Sequence, residues 1–361
     1  MKYSNKYGKR LLLLMLSIIL LTSCQIQPKR TRYSHVFDGA FDTSFQLIAY
    51  TENQKQFDEM SAYVQERMEQ LHRLFDKYHS YKDLVNLRTV NEKAGAEPQV
   101  VDQALFDLLH FAVDMNQKTS GKTNIAFGAV LEIWSEYRNQ GIDDPDNASL
   151  PPLEELQKAA EHTNISHLVL DQDTLTVSFL DPQLKLDVGA VAKGYATELV
   201  VQELLTKGYD SFIISSGGNI RAVGKPYEKD RSKWGVGLQD PNRYVFGDDN
   251  TLDTVYVNDM SVVSSGDYQR YYYVEDQRIH HLIDPATLYP ANYYRAVNVL
   301  FEDSGKADFY STEVFLLPYE ESRAFVEATP GLEAQWIFDD GRIEMTKGFA
   351  ALAKSQGAVP N

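Results

Sequence analysis

The segment at residues 184–219, LKLDVGAVAKGYATELVVQELLTKGYDSFIISSGGN, constrains the fold more than any other part of the chain. Residues 184–188 alternate and read as a strand. From Val191 onward the apolar positions Ala192, Tyr195, Ala196, Leu199, Val200 and Leu204 form one helical stripe, with Gly208 as the stop. Residues 212–215 then read as a buried strand ending in a Gly217-Gly218-Asn219 turn. A helix opened beside a strand end offers unpaired N–H groups and a positive dipole end to an anion. Yet Lys193-Gly194 reverses the order of a Walker loop, which ends Gly-Lys-Ser/Thr, and no hydroxyl residue follows directly. The corner resembles a phosphate site without being a P-loop.

The flanking sequence mixes strands and helices without regular alternation. Residues 45–50 read as a strand, and Met60, Val64, Met68 and Leu71 mark a helix running to about residue 77. Leu105, Leu108, Leu109, Ala112 and Met115 mark another, and residues 153–160 a third after a Pro-Pro start. Short strands follow at 167–170 and 175–179, making a meander with 184–188. Residues 227–260 read as two strands joined by a loop, and further strands fall at 261–264, 271–274, 296–301 and 334–338, with a helix from about 307 and then a soluble tail. This pattern favours α+β, a single mixed domain with mostly antiparallel strands, over a doubly wound sheet.

The N-terminus sets the compartment. Residues 1–23 combine four positive charges, an apolar run too short to span a bilayer, and small residues before Cys24, the only cysteine. A lone cysteine in Leu-x-x-Cys context resembles a bacterial lipobox, which implies a signal peptide at 1–23, lipidation of Cys24, a tether at 24–35 and a domain at 36–355. The expected localisation is extracytoplasmic, lipid-anchored to the cell membrane. With no cysteine left for disulfides, the core holds the fold alone. The leader carries no acidic residue, so the remainder is more acidic than the formal −16 of the whole chain. Such a body argues against nucleic acid and against docking on anionic lipid by charge.

Five clusters carry polar chemistry: Asp187 with residues 190–194; Ser215-Ser-Gly-Gly-Asn219; Ser264-Ser-Gly-Asp267-Tyr268; His280-His281-Leu-Ile-Asp284-Pro285; and Ala307-Asp308 with Thr312. Singly each has a bland reading. The glycine pairs suit turns, one histidine of the pair suits a core, Lys193 suits a solvated helix face, and Asp308 suits a helix cap. Against the cap stands the spacing of Asp308 and Thr312, which puts a carboxylate and a hydroxyl on one helix face, oxygen ligands of the kind Mg²⁺ takes.

In this order the clusters resemble the FAD:protein FMN transferases, the ApbE family, over nearly the whole mature chain. Phe75-Asp-Lys-Tyr78, Asn91 and Trp134 extend the match upstream. The resemblance implies an enzyme that binds FAD and Mg²⁺ and joins FMN to a Thr or Ser hydroxyl of an acceptor redox protein, releasing AMP. It implies metal ligands at the Ala190 carbonyl, Asp308 and Thr312, and FAD contacts at Phe41, Tyr78, Lys122, Thr123, Asn124, Asp187, Lys193, Gly218, Ser265, Gly266 and Ile283. His281 is implied for proton transfer, with Asp308 essential to turnover. A hydrolytic relative, an FAD pyrophosphatase, and a lipoprotein that only holds flavin are the alternatives.

Three departures from the family pattern stand out. Gly121-Lys-Thr-Asn124 replaces Gly-x-x-Asp, Phe41-Asp-Thr43 replaces Met-Gly-Thr, and Asp284-Pro-Ala-Thr-Leu288 lacks the usual final glycine.

Overall fold

The protein is described by a computed structural model over residues 29–243 and 250–361. The expected leader, Cys24 and residues 25–28 of the tether lie outside the described residues. Hairpin β1 (Thr31–Ala40) and β2 (Thr43–Thr51) is followed by helices α1 (Gln54–Phe75) and α2 (Leu87–Glu92). After the short β3 (Gln99–Val100) come α3 (Gln103–Lys118), α4 (Gly128–Asp143) and α5 (Leu153–Ala160), then hairpin β4 (Leu168–Asp171) and β5 (Thr176–Phe179). Helix α6 (Ala192–Thr206) leads into hairpin β6 (Phe212–Ser216) and β7 (Asn219–Val223), and next β8 (Trp234–Gln239) pairs with β9 (Thr251–Val257). Strand β10 (Met260–Gly266), hairpin β11 (Tyr271–Val274) and β12 (Gln277–His280), and β13 (Ala296–Phe301) precede α7 (Ser304–Leu316) and α8 (Tyr319–Ala328). The C-terminal part holds β14 (Glu333–Ile337), β15 (Ile343–Met345) and α9 (Lys347–Leu352).

An eight-stranded sheet in the order β1-β2-β6-β7-β10-β13-β14-β15, antiparallel throughout, is the frame. The expected α+β class with mostly antiparallel strands is the one observed. Period-two alternation sorts its faces. Phe212 and Ile214 join Leu47, Met68, Val200 and other residues of the helix layer, while Ile213 joins Trp234, Val236 and Val255 of the β8–β9 hairpin on the other face. Farther along, Val297 and Val299 of β13 pack with Val314 and Phe315 of α7.

Several expectations are corrected. Residues 184–188 are not a strand but an extended segment with one isolated bridge, Lys185 to Phe127. The reason is a side chain acting as the partner: Asn91 accepts from Leu186 N at 2.8 Å and donates to its carbonyl at 2.9 Å. The tether is shorter than expected, because residues 31–35 already pair in β1. Helix α7 starts before residue 307, and its cap is Asp303, which accepts from Lys306 N at 2.8 Å, so Asp308 is not the cap. The tail is not a loose appendage either, since Phe349 is fully buried and Ser355 bonds Asp253. Helices α4 and α8 and strand β12 lack an expectation altogether.

Candidate active site

The site grows from the meeting of α6 and α7. Val191, the N-terminal flank of α6, has no capping side chain, so the first N–H groups of the helix need outside acceptors. Gly194 N donates to Asp308 Oδ2 at 2.8 Å, a cap supplied by a neighbouring helix. A Cβ at Gly194 would collide with the Ser304 carbonyl and the Asp308 side chain, so only glycine lets the two helices come this close. The reversed Lys-Gly order thereby gains a physical meaning, because the glycine receives a carboxylate rather than a phosphate. Diverting Gly194 N also releases the Ala190 carbonyl from the helix, whose first bond runs from Tyr195 N to Val191 O at 3.0 Å.

Above this crossing lies a cavity of about 560 Å³, within the range of cofactor pockets. It gathers Phe41, Tyr78, Lys122, Thr123, Asn124, Asp187, Ala190, Lys193, Gly218, Ser265, His281, Ile283, Asp308 and Thr312 from nearly the full length of the chain. Gly266 is the exception. It ends β10 beside Tyr268, whose ring would meet a Cβ there, so its smallness serves packing. Asn91 likewise stands behind the wall, holding Leu186.

The carboxylates of the region differ in their partners. Asp187 pairs with Lys77 at 2.5 Å and accepts from Gly189 N at 2.8 Å. Burial opposes its charge, but Lys77 and that N–H outweigh burial and hold the carboxyl below its usual value. Asp284, behind the wall, takes Lys122 at 2.5 Å and Ala286 N at 2.9 Å. Asp308 is 6% exposed, and burial pushes its pKa up against the opposing charge of Lys193 and the Gly194 N–H. It retains acceptor capacity on the cavity side.

Both histidines line the cavity, but they differ in burial and partners. His280 is buried with Nε2 at 2.9 Å from the Ala291 carbonyl. His281 lines the cavity, and its Nδ1 lies 3.2 Å from the Arg270 carbonyl. A carbonyl accepts only, so Nδ1 carries the proton and Nε2 is left as the acceptor. Burial, then Arg270, His280 and Lys193, push its pKa down to about 3.

The loop at residues 120–124 is pinned from below. Buried Glu313 of α7 accepts from Ser120 N at 2.9 Å, Thr123 N at 2.7 Å and the Ser120 hydroxyl. Asn124 spends both halves of its amide, accepting from Ala126 N at 2.8 Å and donating to the Thr163 carbonyl at 2.9 Å. Across the cavity mouth, Phe41 and Asp42 form the β1–β2 turn with positive φ of 52° and 51°, and Phe41 N donates to His72 Nδ1 at 3.1 Å. Gly217 at φ +53° packs against Thr43 where a Cβ would not fit.

Sequence reasoning missed Arg138, Arg270, Gln269 and Glu313. Arg138 had a signal: Leu131, Trp134, Ser135 and Arg138 all line the cavity at the i, i+3, i+4, i+7 spacing of one helix face. Among the described residues no three His, Cys, Asp or Glu side chains converge on a metal position. The donor set of Ala190, Asp308 and Thr312 contains only one such side chain, so it would not form that kind of cluster.

A cavity walled by titratable side chains is a candidate active site, and the relatives place the chain among the transferase enzymes. Residues 41–336 match the ApbE family, and the chain belongs to that family. It is similar to the FAD:protein FMN transferase of Treponema pallidum (strain Nichols), 35% identical over 274 residues covering 73% of each chain. The protein of the same name from Vibrio cholerae is 26% identical over 320 residues, 88% of this chain and 90% of the relative. The crystal structure of the Thermotoga maritima ApbE protein superposes with a TM-score of 0.77 at 26% identity, over 89% of this chain and 99% of that one.

Proposed function

We propose that the chain transfers FMN from FAD to a Thr or Ser hydroxyl of an acceptor protein and releases AMP. The observation that carries this reading is the convergence of Ala190, Lys193, His281, Asp308 and Thr312 on one cavity of cofactor size. Mg²⁺ fits the oxygen donors of Ala190, Asp308 and Thr312 because Asp308 is a buried carboxylate with one backbone donor, and a hard cation would complete its surroundings. Bound there, the ion supplies charge neutralisation to phosphate oxygens.

The chain's own groups do the rest. Lys193 faces the phosphates, and Asp187, held ionised by Lys77, accepts hydrogen bonds from the ribose or adenine end. The acceptor oxygen attacks the phosphorus of the FMN half. The bond from that phosphorus to the bridging oxygen breaks, and its electron pair departs with AMP. His281 Nε2 takes the proton of the acceptor hydroxyl.

Incubating the purified chain with FAD, Mg²⁺ and a candidate acceptor, then reading flavin fluorescence on the denatured acceptor, tests the proposal. Free FMN and AMP with an unlabelled acceptor would replace it with hydrolysis, and unchanged FAD would reduce the chain to a flavin binder. We further propose that Cys24 is lipidated and tethers the enzyme outside the cytoplasm. No helix among the described residues is long and apolar enough to cross a membrane. Cys24→Ala should move the protein from the membrane to the soluble fraction, and continued membrane retention would refute the anchor.

A further inference from the structure

The cations on the cavity wall are not equivalent. Lys77 is paired with Asp187 and Lys122 with Asp284, both at 2.5 Å, and Lys193 acts on Asp308. Arg138, from α4, and Arg270, just ahead of β11, line the same cavity. Among the described residues neither guanidinium has an ion-pair or hydrogen-bond partner. Burial lowers the pKa of Arg138 against the opposing pull of Tyr78, and the charge of Arg270 adds to the lowering. The carboxylate that acts on both is Asp187, which Lys77 already pairs at 2.5 Å, so the two guanidinium charges are only partly offset until an anion joins them.

We propose that Arg138 and Arg270 form an anion subsite that holds the phosphate of the departing AMP. The assignment rests on the FMN-transfer reading and adds to it a place for the leaving group. The field of Lys193 reaches Asp308 and His281, whereas that of Arg270 reaches His281 and Asp187, and that of Arg138 falls near Asp187 and Tyr78. Both arginines thus act on Asp187, the residue that the transfer reading assigns to the ribose or adenine end. Cleavage puts the electron pair and a new negative charge on the AMP phosphate, and a planar guanidinium fork matches phosphate oxygens better than an ammonium does.

Titration calorimetry of the purified full chain with AMP, adenosine and FMN tests this without requiring turnover. Arg138→Gln and Arg270→Gln should each weaken AMP at least about tenfold, which is about 1.4 kcal/mol, while adenosine is unchanged and FMN stays within about twofold. Arg138→Lys should recover part of the AMP affinity, which a merely structural role would not predict, and melting curves check that each variant is folded. In FAD turnover kcat should fall more than KM rises, because the charge develops in the transition state. Unchanged AMP affinity, equal losses for AMP and adenosine, or a loss confined to FMN overturns the subsite. If the arginine-dependent preference for AMP over adenosine holds while no acceptor is labelled, the subsite stands and the transfer reading falls.

Discussion

Asp308 and Glu313 lie five positions apart on α7, and both are buried. Glu313 accepts two backbone N–H groups and a hydroxyl from the loop at 120–123. Asp308 has one backbone donor, with the Asn219 amide beside it, and burial still holds its pKa above the usual carboxyl value. A carboxylate whose lone pairs are occupied by donors is a pin, whereas one left short of donors has capacity for a cation. The same residue chemistry on the same helix thus divides into an anchor and a reactive position, and donor supply rather than burial makes the division.

The sharpest way to break that comparison is Asp308→Asn. FAD turnover should drop at least about a thousandfold, the scale of several kcal/mol of lost charge stabilisation. Stability should move the other way. A carboxyl whose folded pKa is raised binds its proton more tightly in the folded chain, so its contribution is lost as pH rises above the unfolded value of about 3.8. The variant should therefore melt no lower than wild type at pH 7. Mg²⁺ alone should raise the melting temperature of wild type but not of the variant. A variant that keeps a tenth of the rate would remove Asp308 from the site.

His281 comes next in size. His281→Ala should lose about a hundred- to ten-thousandfold in kcat with FAD binding retained. In the unliganded protein its pKa is pushed down to about 3 by burial and by Arg270, His280 and Lys193. The unfolded chain takes up this proton first, so stability from His281 is present above about 6.5 and is lost as pH falls toward 3. The alanine variant should lack that slope. Bound phosphates offset the charges of Arg270 and Lys193, so the acid limb of kcat should sit at higher pH than that of kcat/KM. The reverse order would exclude His281 as the proton acceptor.

Glu313→Ala should give the complementary result, a loss of about 3 kcal/mol in urea unfolding, because it strands the buried Thr123 N–H and frees the more exposed Ser120. Its effect on rate should be smaller than that of Asp308→Asn and should appear through the loop that carries Lys122 and Asn124. A stability change within about 0.5 kcal/mol would erase the distinction between the two carboxylates.

The legibility of the molecule follows the same division between local and tertiary causes. Met60, Val64, Met68 and Leu71 announce α1 because its stripe is long and its burial one-sided. The cavity segments are legible in combination only, because each cluster has a bland reading by itself and it is their order along the chain that resembles the ApbE family. Helix α4 is poorly marked, since its only large buried side chains are Val130 and Trp134, and Arg138 is signalled only by its spacing from Leu131, Trp134 and Ser135. Residues 184–188 alternate like a strand, yet their partner is the amide of Asn91, nearly a hundred positions away. Gly194 could be seen as unusual, but its purpose needs α7 lying over it. Local pattern thus reports which groups are present, whereas donor supply depends on what the fold brings beside them.

Asn124 is where that lesson predicts the smallest effect. The resemblance puts Asp at this position in many members, and Asn124→Asp would restore it. The oxygen that accepts from Ala126 N would be kept, but the amide that donates to the Thr163 carbonyl would become a second acceptor facing that carbonyl. Loss of one partly buried hydrogen bond, with repulsion in its place, should cost about 1 kcal/mol of stability. The added negative charge lies on the cavity wall and FAD itself is an anion, so FAD affinity should fall by less than about tenfold and recover partly at high salt. If the change instead tightens FAD at no cost in stability, then Asn124 faces the ligand rather than Thr163, and the loop pinned by Glu313 must shift when the cavity fills.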